Sequence, residues 1–306
     1  MAILKVCLFG KLSLHCDADE LAGFDARKLQ QLFCYLLIHR DHPHPREVLA
    51  GVLWGNNSTE QSKKYLRQTL WQLQSALDRG SDRSGNFITV DADWVNLNSS
   101  RDLWLDVAIF EDAFLPVKDV QGHDLGDEKA QQLERAVQLY HGDLLEGWYE
   151  DWCLFERERL QNMYLAMLDK LMSYCEANEQ YETGIVYGTR ILSFDRAREH
   201  THQHLMRLQY RAGNRTAALR QYERCTLALE EELGVKPAKS TQVLYEQIRN
   251  DHVDDRSTPP HFSSRIDSPA QDILNRLDLI SELLTDVQRA TQRGLCAIEL
   301  VTKTRR

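Results

Sequence analysis

The chain has 306 residues, of which 42% are hydrophobic and 27% are charged, and its formal net charge is −9. This composition is typical of a globular protein of two domains, and its acidic balance argues against a non-specific nucleic-acid coat. Residues 1–105 have no net charge, whereas residues 106–250 carry −8. A local DNA-contacting face in the first part is therefore compatible with the negative net charge of the chain.

Targeting and redox features predict a cytoplasmic protein. No apolar run is long enough to span a bilayer, and the first residues lack the pattern of a secretory signal peptide. The seven cysteines are dispersed, without a C-x-x-C pair. Such a set is typical of reduced thiols and does not predict a zinc site.

The first predicted elements are two strands and two helices. Residues 3–9 and 11–16 have the pattern of strands around a turn at Gly10. A helix follows, with Asp25 as its expected N-cap, and the two prolines of residues 42–45 stop it. The apolar stripe of this helix consists of Leu29, Leu32, Phe33, Leu36 and Leu37. The segment REVLAGVLW, from Arg46 to Trp54, predicts a second, short helix.

The segment from Ser58 to Arg79 predicts a third helix with an apolar face and a basic face. The apolar face consists of Leu66, Leu70, Leu73 and Leu77. No acidic residue occurs between Glu60 and Asp78, so Lys, Arg and Gln side chains are available to phosphates and base edges of DNA. Taken alone, this helix is better explained as an ordinary amphipathic helix with a solvated basic face.

The neighbours of the third helix change that interpretation. Residues 87–90 and 94–97, separated by Asp91-Ala92-Asp93, predict a closing β-hairpin. Strands, three helices and a hairpin are the order of a winged helix–turn–helix, in which the third helix enters the major groove and the hairpin flanks it.

Residues 1–105 resemble the OmpR-type winged helix, in the version found in Streptomyces antibiotic regulatory proteins, the SARP family. The resemblance rests on LKVCLFGKLSL at residues 4–14, VLAGVLWG at residues 48–55 and QSKKYLRQTLWQLQSAL at residues 61–77. The second half of the recognition helix is usually basic in this family, whereas Gln72, Gln74 and Ser75 are neutral here. A lower affinity or a different sequence preference is therefore expected.

Roles on DNA follow from side-chain chemistry. The predicted base-contacting residues are Lys64, Arg67, Gln68 and Trp71. The predicted phosphate-contacting residues are Arg27, Lys28, Arg46, Lys63, Gln72, Ser75 and Arg83. For each residue a solvated surface position is an equal alternative, and Trp71 has a further one, packing against the hairpin.

Residues 106–250 resemble the bacterial transcriptional activation domain of SARP-type regulators. The resemblance is carried by HGDLLEG at residues 141–147, WCLFERERL at residues 152–160 and LALEEELGVKPAKSTQVLYEQI at residues 227–248. Leu171-Met172 recurs as Leu205-Met206, a period of 34 residues that is typical of tetratricopeptide (TPR) repeats.

The predicted fold class is mainly α, with four parts. An α+β winged helix–turn–helix (1–105) precedes an all-α TPR-like domain (106–250), a polar linker (251–269) and a C-terminal amphipathic helix (270–306). The last helix is predicted to be a dimer or docking helix, with packing on its own domain as an equal alternative. Its apolar seam consists of Ile273, Leu277, Ile280, Leu284 and Val287.

The resemblance implies a sequence-specific transcriptional activator. It would bind double-stranded promoter DNA at direct repeats as a homo-oligomer, dimeric on those repeats, and contact RNA polymerase through its helical domain. A regulatory protein or a ligand bound in the helical groove is a possible further partner, and no membrane partner is expected. Two alternatives remain: a TPR-like protein–protein adaptor whose winged helix is a scaffolding module, and a repressor of the same architecture.

Motifs for catalysis are missing from the sequence. There is no P-loop, no strand-linked G-x-G-x-x-G, no H-E-x-x-H and no G-x-S-x-G. An enzyme, a cofactor and a metal site are therefore not expected. The histidines of EHTHQHL (residues 199–205) are predicted to be surface or helix-start residues, and His39, His42 and His44 to decorate a loop.

Overall fold

Two small sheets organise the N-terminal part of the chain in a computed structural model, which describes residues 4–16, 19–20, 23–79, 87–98 and 103–251. The strands are β1 (Leu4–Cys7), β2 (Ser13–Cys16), β3 (Asp19–Glu20), β4 (His44–Pro45), β5 (Ile88–Val90), β6 (Trp94–Leu97) and β7 (Leu103–Leu105). One sheet has the order β3-β2-β1-β7, with β1 antiparallel to β2 and parallel to β7. The other has the order β4-β6-β5 and is antiparallel.

Most of the described residues are helical, which confirms the predicted fold class. The helices are α1 (Arg27–Ile38), α2 (Arg46–Trp54), α3 (Thr59–Arg79), α4 (Asp106–Phe114), α5 (Asp127–Leu139), α6 (Asp151–Ala177), α7 (Tyr181–Phe194), α8 (Glu199–Arg211), α9 (Arg215–Leu233) and α10 (Lys239–Arg249). Two 3₁₀ turns, Leu115–Val117 and Gly122–Asp124, lie between α4 and α5. Within the described ranges no helix is long and apolar enough to cross a membrane.

The winged helix has the predicted order of elements. Helix α2 has the predicted bounds, and β5 and β6 form the predicted hairpin, with Ile88 opposite Leu97. Its core contains the apolar stripe of α3, whose four leucines are at most 3% exposed. Trp71 is 67% exposed, so the alternative in which it packs against the hairpin is wrong.

Two local predictions in this region are wrong. Asp25 does not cap α1, because the helix begins after Ala26 and that position makes no side-chain capping bond. His44 does not decorate a loop, because it belongs to β4 and is 3% exposed. Its Nε2–H donates to the carbonyl oxygen of His39 at 2.8 Å, and burial lowers the pKa of the His44 imidazole.

The 34-residue period appears as two stacked helix pairs, α6–α7 and α8–α9. The turns between the paired helices correspond, since Glu179 (φ 58°) and Gly213 (φ 78°) are both left-handed and are 34 residues apart. Small residues recur at the helix contacts, where Gly184 and Ala218 are both buried. This is the expected geometry of a TPR-like array.

The prediction for the histidines of residues 199–205 is right for one residue and wrong for two. His200 is exposed in the first turn of α8, whereas His202 and His204 are 3% and 4% exposed, so neither of these two is a surface residue. Gln221 Nε2 lies 2.8 Å from His202 Nδ1, and His204 Nε2 lies 2.7 Å from a carboxylate oxygen of Glu176. Across the part of the chain that the structure describes, no cluster of three or more His, Cys, Asp or Glu side chains could hold a metal ion.

The predicted linker and the predicted C-terminal helix lie almost wholly outside the described residues. The seam from Ile273 to Val287 and the candidate phosphate contact Arg83 are among the undescribed positions. These assignments therefore stay predictions. The division at residues 105 and 106 also stays a prediction, because Met1–Asn250 forms one compact unit.

Two helical glycines test the packing of the TPR-like array. A Cβ atom at Gly188 would lie 2.7 Å from Leu205 Cδ2 and 2.8 Å from Met172 Cε, whereas one at Gly51 in α2 meets nothing within 4 Å. We expect Gly188→Ala to lower the free energy of unfolding by about 1–3 kcal/mol. Gly51→Ala should raise it by about 0.5–1 kcal/mol, because alanine is the better helix former. Urea denaturation monitored by circular dichroism measures both, and equal effects would contradict the close packing of α7 on α8.

Candidate nucleic-acid interface

The outward face of α3 presents four polar or aromatic side chains to solvent. Lys64, Arg67, Gln68 and Trp71 are all exposed and project away from the buried leucine stripe. No hydrogen bond or ion pair joins any of them to another described residue. The buried leucines therefore hold α3 on the core, while the four outward side chains have no partner within the described residues.

A buried serine in the first turn of α3 anchors this helix to the end of α2. Ser62 is 5% exposed, and its hydroxyl donates to the carbonyl oxygen of Trp54 at 2.9 Å. It also lies 3.1 Å from the carbonyl oxygen of Ser58, one turn earlier in the chain. These bonds satisfy carbonyl groups at the helix junction. Sequence reasoning missed Ser62, since a single serine near a turn carries no distinguishing pattern.

The flanks of α3 are bound to neighbouring elements. Lys63 Nζ lies 2.7 Å from Glu47 of α2, and this hydrogen bond and the carboxylate charge raise the pKa of Lys63. On the same side of the helix, the Gln74 amide donates to the carbonyl oxygen of Ile88 at 3.2 Å. Gln72 is exposed and Ser75 is half-buried.

Two predicted phosphate contacts are engaged within the protein. The Arg27 guanidinium lies 3.8 Å from the centre of the Trp148 ring and 3.6 Å from Glu150. Lys28 Nζ donates to the carbonyl oxygen of Leu53 at 2.6 Å. Arg27 therefore joins α1 to the segment before α6, and Lys28 joins α1 to α2.

Arg46, at the start of α2, is bound to the hairpin turn. Its backbone N–H donates to the carbonyl oxygen of Asp93 at 2.9 Å, and its Nη1 donates to the carbonyl oxygen of Asp91 at 3.1 Å. The hydrogen bond from the guanidinium to Asp91 is exposed to solvent. Arg46 thus fixes the hairpin against the helix that precedes α3.

Backbone hydrogen bonds join the β1–β2 turn to the GDLLEG segment at residues 142–147. Gly10 donates to the carbonyl oxygen of Asp143 at 2.9 Å, and Glu146 donates back to Gly10 at 2.8 Å. Leu145 donates to the carbonyl oxygen of Leu8 at 2.8 Å. Gly10 has a φ of 82°, a conformation that favours glycine at this close approach.

Asp106 closes the other side of the same turn. Its carboxylate accepts from the backbone N–H groups of Leu8 and Phe9 at 2.8 and 2.9 Å, and from Val107 at 2.7 Å. Burial raises the pKa of this carboxyl group, and the three hydrogen bonds oppose that shift. The side chain satisfies two strand-end amides that would otherwise be buried without partners.

Arg157 fastens the GDLLEG segment to α6. Its guanidinium donates to the carbonyl oxygens of Leu144, Leu145 and Trp148 at 2.9–3.0 Å. Leu144 and Leu145 are completely buried, and Leu145 has a left-handed φ of 49°. The arginine therefore stabilises a strained loop that contacts the winged helix.

A charged network continues this contact along α1. Arg40 Nη2 and Arg159 Nη2 lie 2.7 and 2.6 Å from the two carboxylate oxygens of Glu111. Arg159 also pairs with Glu156 at 2.7 Å. Gln31 on α1 donates to Glu150. These polar side chains therefore add to the backbone bonds that join the winged helix to the helical array.

Comparisons with known proteins agree with this architecture. Residues 105–249 match the family described as bacterial transcriptional activator domain. The chain is 24% identical over 250 residues to the regulatory protein AfsR of Streptomyces coelicolor, an alignment that covers 80% of this chain and 24% of AfsR. The chain therefore spans about a quarter of the length of this curated relative.

A solved structure has a similar fold. Mycobacterium tuberculosis EmbR, in a complex with a low-affinity phosphopeptide, superimposes with a TM-score of 0.63 and 16% sequence identity. The match covers 83% of this chain and 67% of the EmbR chain. At this identity the likeness shows a shared fold.

Removal of Arg157 tests the contact between the two parts. We expect Arg157→Ala to lower the free energy of unfolding by about 2–4 kcal/mol, because three carbonyl oxygens lose a charged donor. Arg157→Lys should recover only part of the loss, since an ammonium group does not have the planar fork of a guanidinium. The exposed Arg135→Ala is the matched control, with an expected change within about 0.5 kcal/mol. Equal urea midpoints for Arg157→Ala and Arg135→Ala would contradict the role.

Proposed function

We propose that the protein is a sequence-specific DNA-binding transcriptional activator, because residues 105–249 match the bacterial transcriptional activator domain family. Helix α3 inserts into the major groove at promoter repeats. The helical array mediates oligomerisation on those repeats and contacts RNA polymerase. AfsR, the relative named above, is itself called a regulatory protein.

The unengaged outward face of α3 is the observation that carries this proposal. Arg67 suits the O6 and N7 acceptors of guanine, and Gln68 suits the N6 and N7 groups of adenine. Lys64 extends the donor set, and the 67% exposed Trp71 ring suits a thymine methyl group or a sugar. These four side chains make no hydrogen bond or ion pair within the described residues, whereas all four could contact bases or sugars in a major groove.

Side chains beside this face supply the phosphate contacts. Arg46, Lys63, Gln72 and Ser75 flank the base-reading residues, and Lys and Arg that neutralise phosphates provide salt-dependent affinity. The predicted set also includes Arg27 and Lys28, which have partners within the protein, as Arg46 and Lys63 do. A phosphate contact therefore requires each of these four side chains to share or exchange its internal partner.

The helical array provides a protein-binding surface. Stacked TPR-like helix pairs expose extended surfaces to partners and contain no catalytic groups of their own. The net charge of −8 over residues 106–250 keeps this part away from DNA. A second copy on a neighbouring repeat and RNA polymerase are the proposed partners, and a regulatory protein or ligand in the groove is a further one.

Loss of two α3 charges tests the DNA interface. We expect Lys64→Ala with Arg67→Ala to weaken binding to the preferred site by about 30-fold or more, since a good base contact contributes about 1–3 kcal/mol. The matched control is Lys129→Ala with Arg135→Ala, which removes two exposed positive charges from α5. Fluorescence-anisotropy titrations at two salt concentrations, on fragments that include the upstream region of the gene, measure the difference.

Two results would contradict this proposal. Equal losses in the two double variants would show that only net charge matters. No binding to any fragment at low salt would favour the adaptor function instead.

A separate measurement is required to distinguish an activator from a repressor. In a reporter strain, we expect the full chain to raise transcription from a bound promoter and the Lys64→Ala, Arg67→Ala chain to lose that increase. A rise in transcription with this double variant, relative to the parent chain, would indicate a repressor.

A further inference from the structure

The hairpin beside α3 carries two free carboxylates at its tip. Asp91, Ala92 and Asp93 connect β5 to β6, and all three are exposed. The Asp91 N–H donates to the carbonyl oxygen of Trp94 at 2.9 Å, which closes the turn. No hydrogen bond or ion pair from a described residue reaches either carboxylate, so both negative charges face solvent.

The same turn is part of the surface that contains α3. Its carbonyl groups accept from the backbone and the guanidinium of Arg46, at the start of α2. Behind it, β5 is bonded to Gln74 of α3. Lys63, on the same side of α3, is held by Glu47 of α2. The turn that carries the two carboxylates is therefore held to α2 and, through β5, to α3.

Negative charge in this position opposes the DNA backbone. A duplex carries one phosphate charge per about 1.7 Å of its axis, so a hairpin that flanks a groove-bound helix faces phosphates. Two like unit charges about 8 Å apart in water repel each other enough to lower an association constant about twofold. Two carboxylates together account for about fivefold at low salt, and screening reduces this near physiological ionic strength.

We propose that Asp91 and Asp93 make the hairpin a repulsive element that limits phosphate-driven affinity for DNA. This inference rests on the proposed DNA-binding function and adds to it. The repulsion is independent of base sequence, so stable occupancy depends on the base contacts of α3 and on a second bound copy. Such repulsive groups are a common means of specificity.

Arg46 gives the inference a second, independent consequence. Its Nη1 is 3.1 Å from the carbonyl oxygen of Asp91, so its positive charge lies within the turn and offsets part of the local negative charge. Removal of Arg46 would unmask both carboxylates as well as remove a cation. The effects of Arg46 and of the aspartates on DNA binding must therefore be coupled.

Isosteric neutralisation tests the inference on the full chain. We expect Asp91→Asn with Asp93→Asn to raise DNA affinity about fivefold at about 0.02 M salt and about twofold at about 0.15 M salt. The control is Asp119→Asn with Asp124→Asn, two exposed acids outside the winged helix that give the same change in net charge. It should leave the affinity nearly unchanged. Arg46→Ala should weaken binding less in the Asp91→Asn, Asp93→Asn background than in the parent.

Three results would overturn the inference. The first is an affinity gain in the control equal to that of the hairpin variant. The second is no gain at low salt in a hairpin variant with unchanged circular dichroism and urea midpoint. The third is an Arg46→Ala loss of the same size in both backgrounds. If Lys64→Ala with Arg67→Ala still weakens binding about 30-fold, only the proposal of a repulsive hairpin fails. If the parent chain binds no DNA, both proposals fail.

Discussion

The backbone bonds between the β1–β2 turn and residues 143–146 determine how the two parts of the chain act together. They unite Gly10 and Leu8 with Asp143, Leu145 and Glu146, at distances of 2.8–2.9 Å. Backbone pairing of this kind leaves little freedom for one part to rotate against the other. Asp106 and Arg157 hold the two sides of the pairing. The helical array therefore has a fixed orientation relative to α3, the helix that we propose to read DNA.

Positive side chains in the winged helix divide into two groups by their partners. Arg27, Arg40 and Lys28 are bound to acids, rings or carbonyl groups and stabilise the fold. Lys64 and Arg67 have no partner within the described residues and are available to a ligand. The division has a physical cause: an arginine that is partly desolvated needs an internal acceptor, whereas an exposed one on a convex helix does not. The protein can therefore be acidic overall and still offer a basic face.

Local patterns predicted much of this architecture. The bounds of α2, the buried face of α3 and the 34-residue period follow from helical periodicity and turn residues, which act over short distances. Strands β3, β4 and β7 were missed, because each is only two or three residues long. The pairing partners of β4 and β7 are, in addition, far away in sequence. The burial of His44 and of His204 has the same origin, since His44 pairs with Val95 of β6 and His204 lies against Glu176 of α6.

The sequence was sufficient to predict which face of α3 is exposed. It was not sufficient to predict which basic side chains are free of partners within the protein. Spacing along α3 identified Lys64, Arg67, Gln68 and Trp71, which are all exposed. It could not show that Arg27 is engaged with Trp148, 121 positions further along the chain, because side-chain competition depends on tertiary contacts. The sequence shows that the hairpin turn contains two aspartates, but only the fold shows that this turn lies beside α3.

Methylation interference tests most directly whether α3 reads bases in the major groove. DNA fragments selected by the purified chain would be methylated sparsely at guanine N7, the major-groove atom that Arg67 is proposed to contact. We expect methylation at one or more guanines in each repeat to exclude fragments from the bound fraction, and an Arg67→Ala chain to lose that exclusion. Bound and free fragments with the same methylation pattern would contradict major-groove reading by this helix.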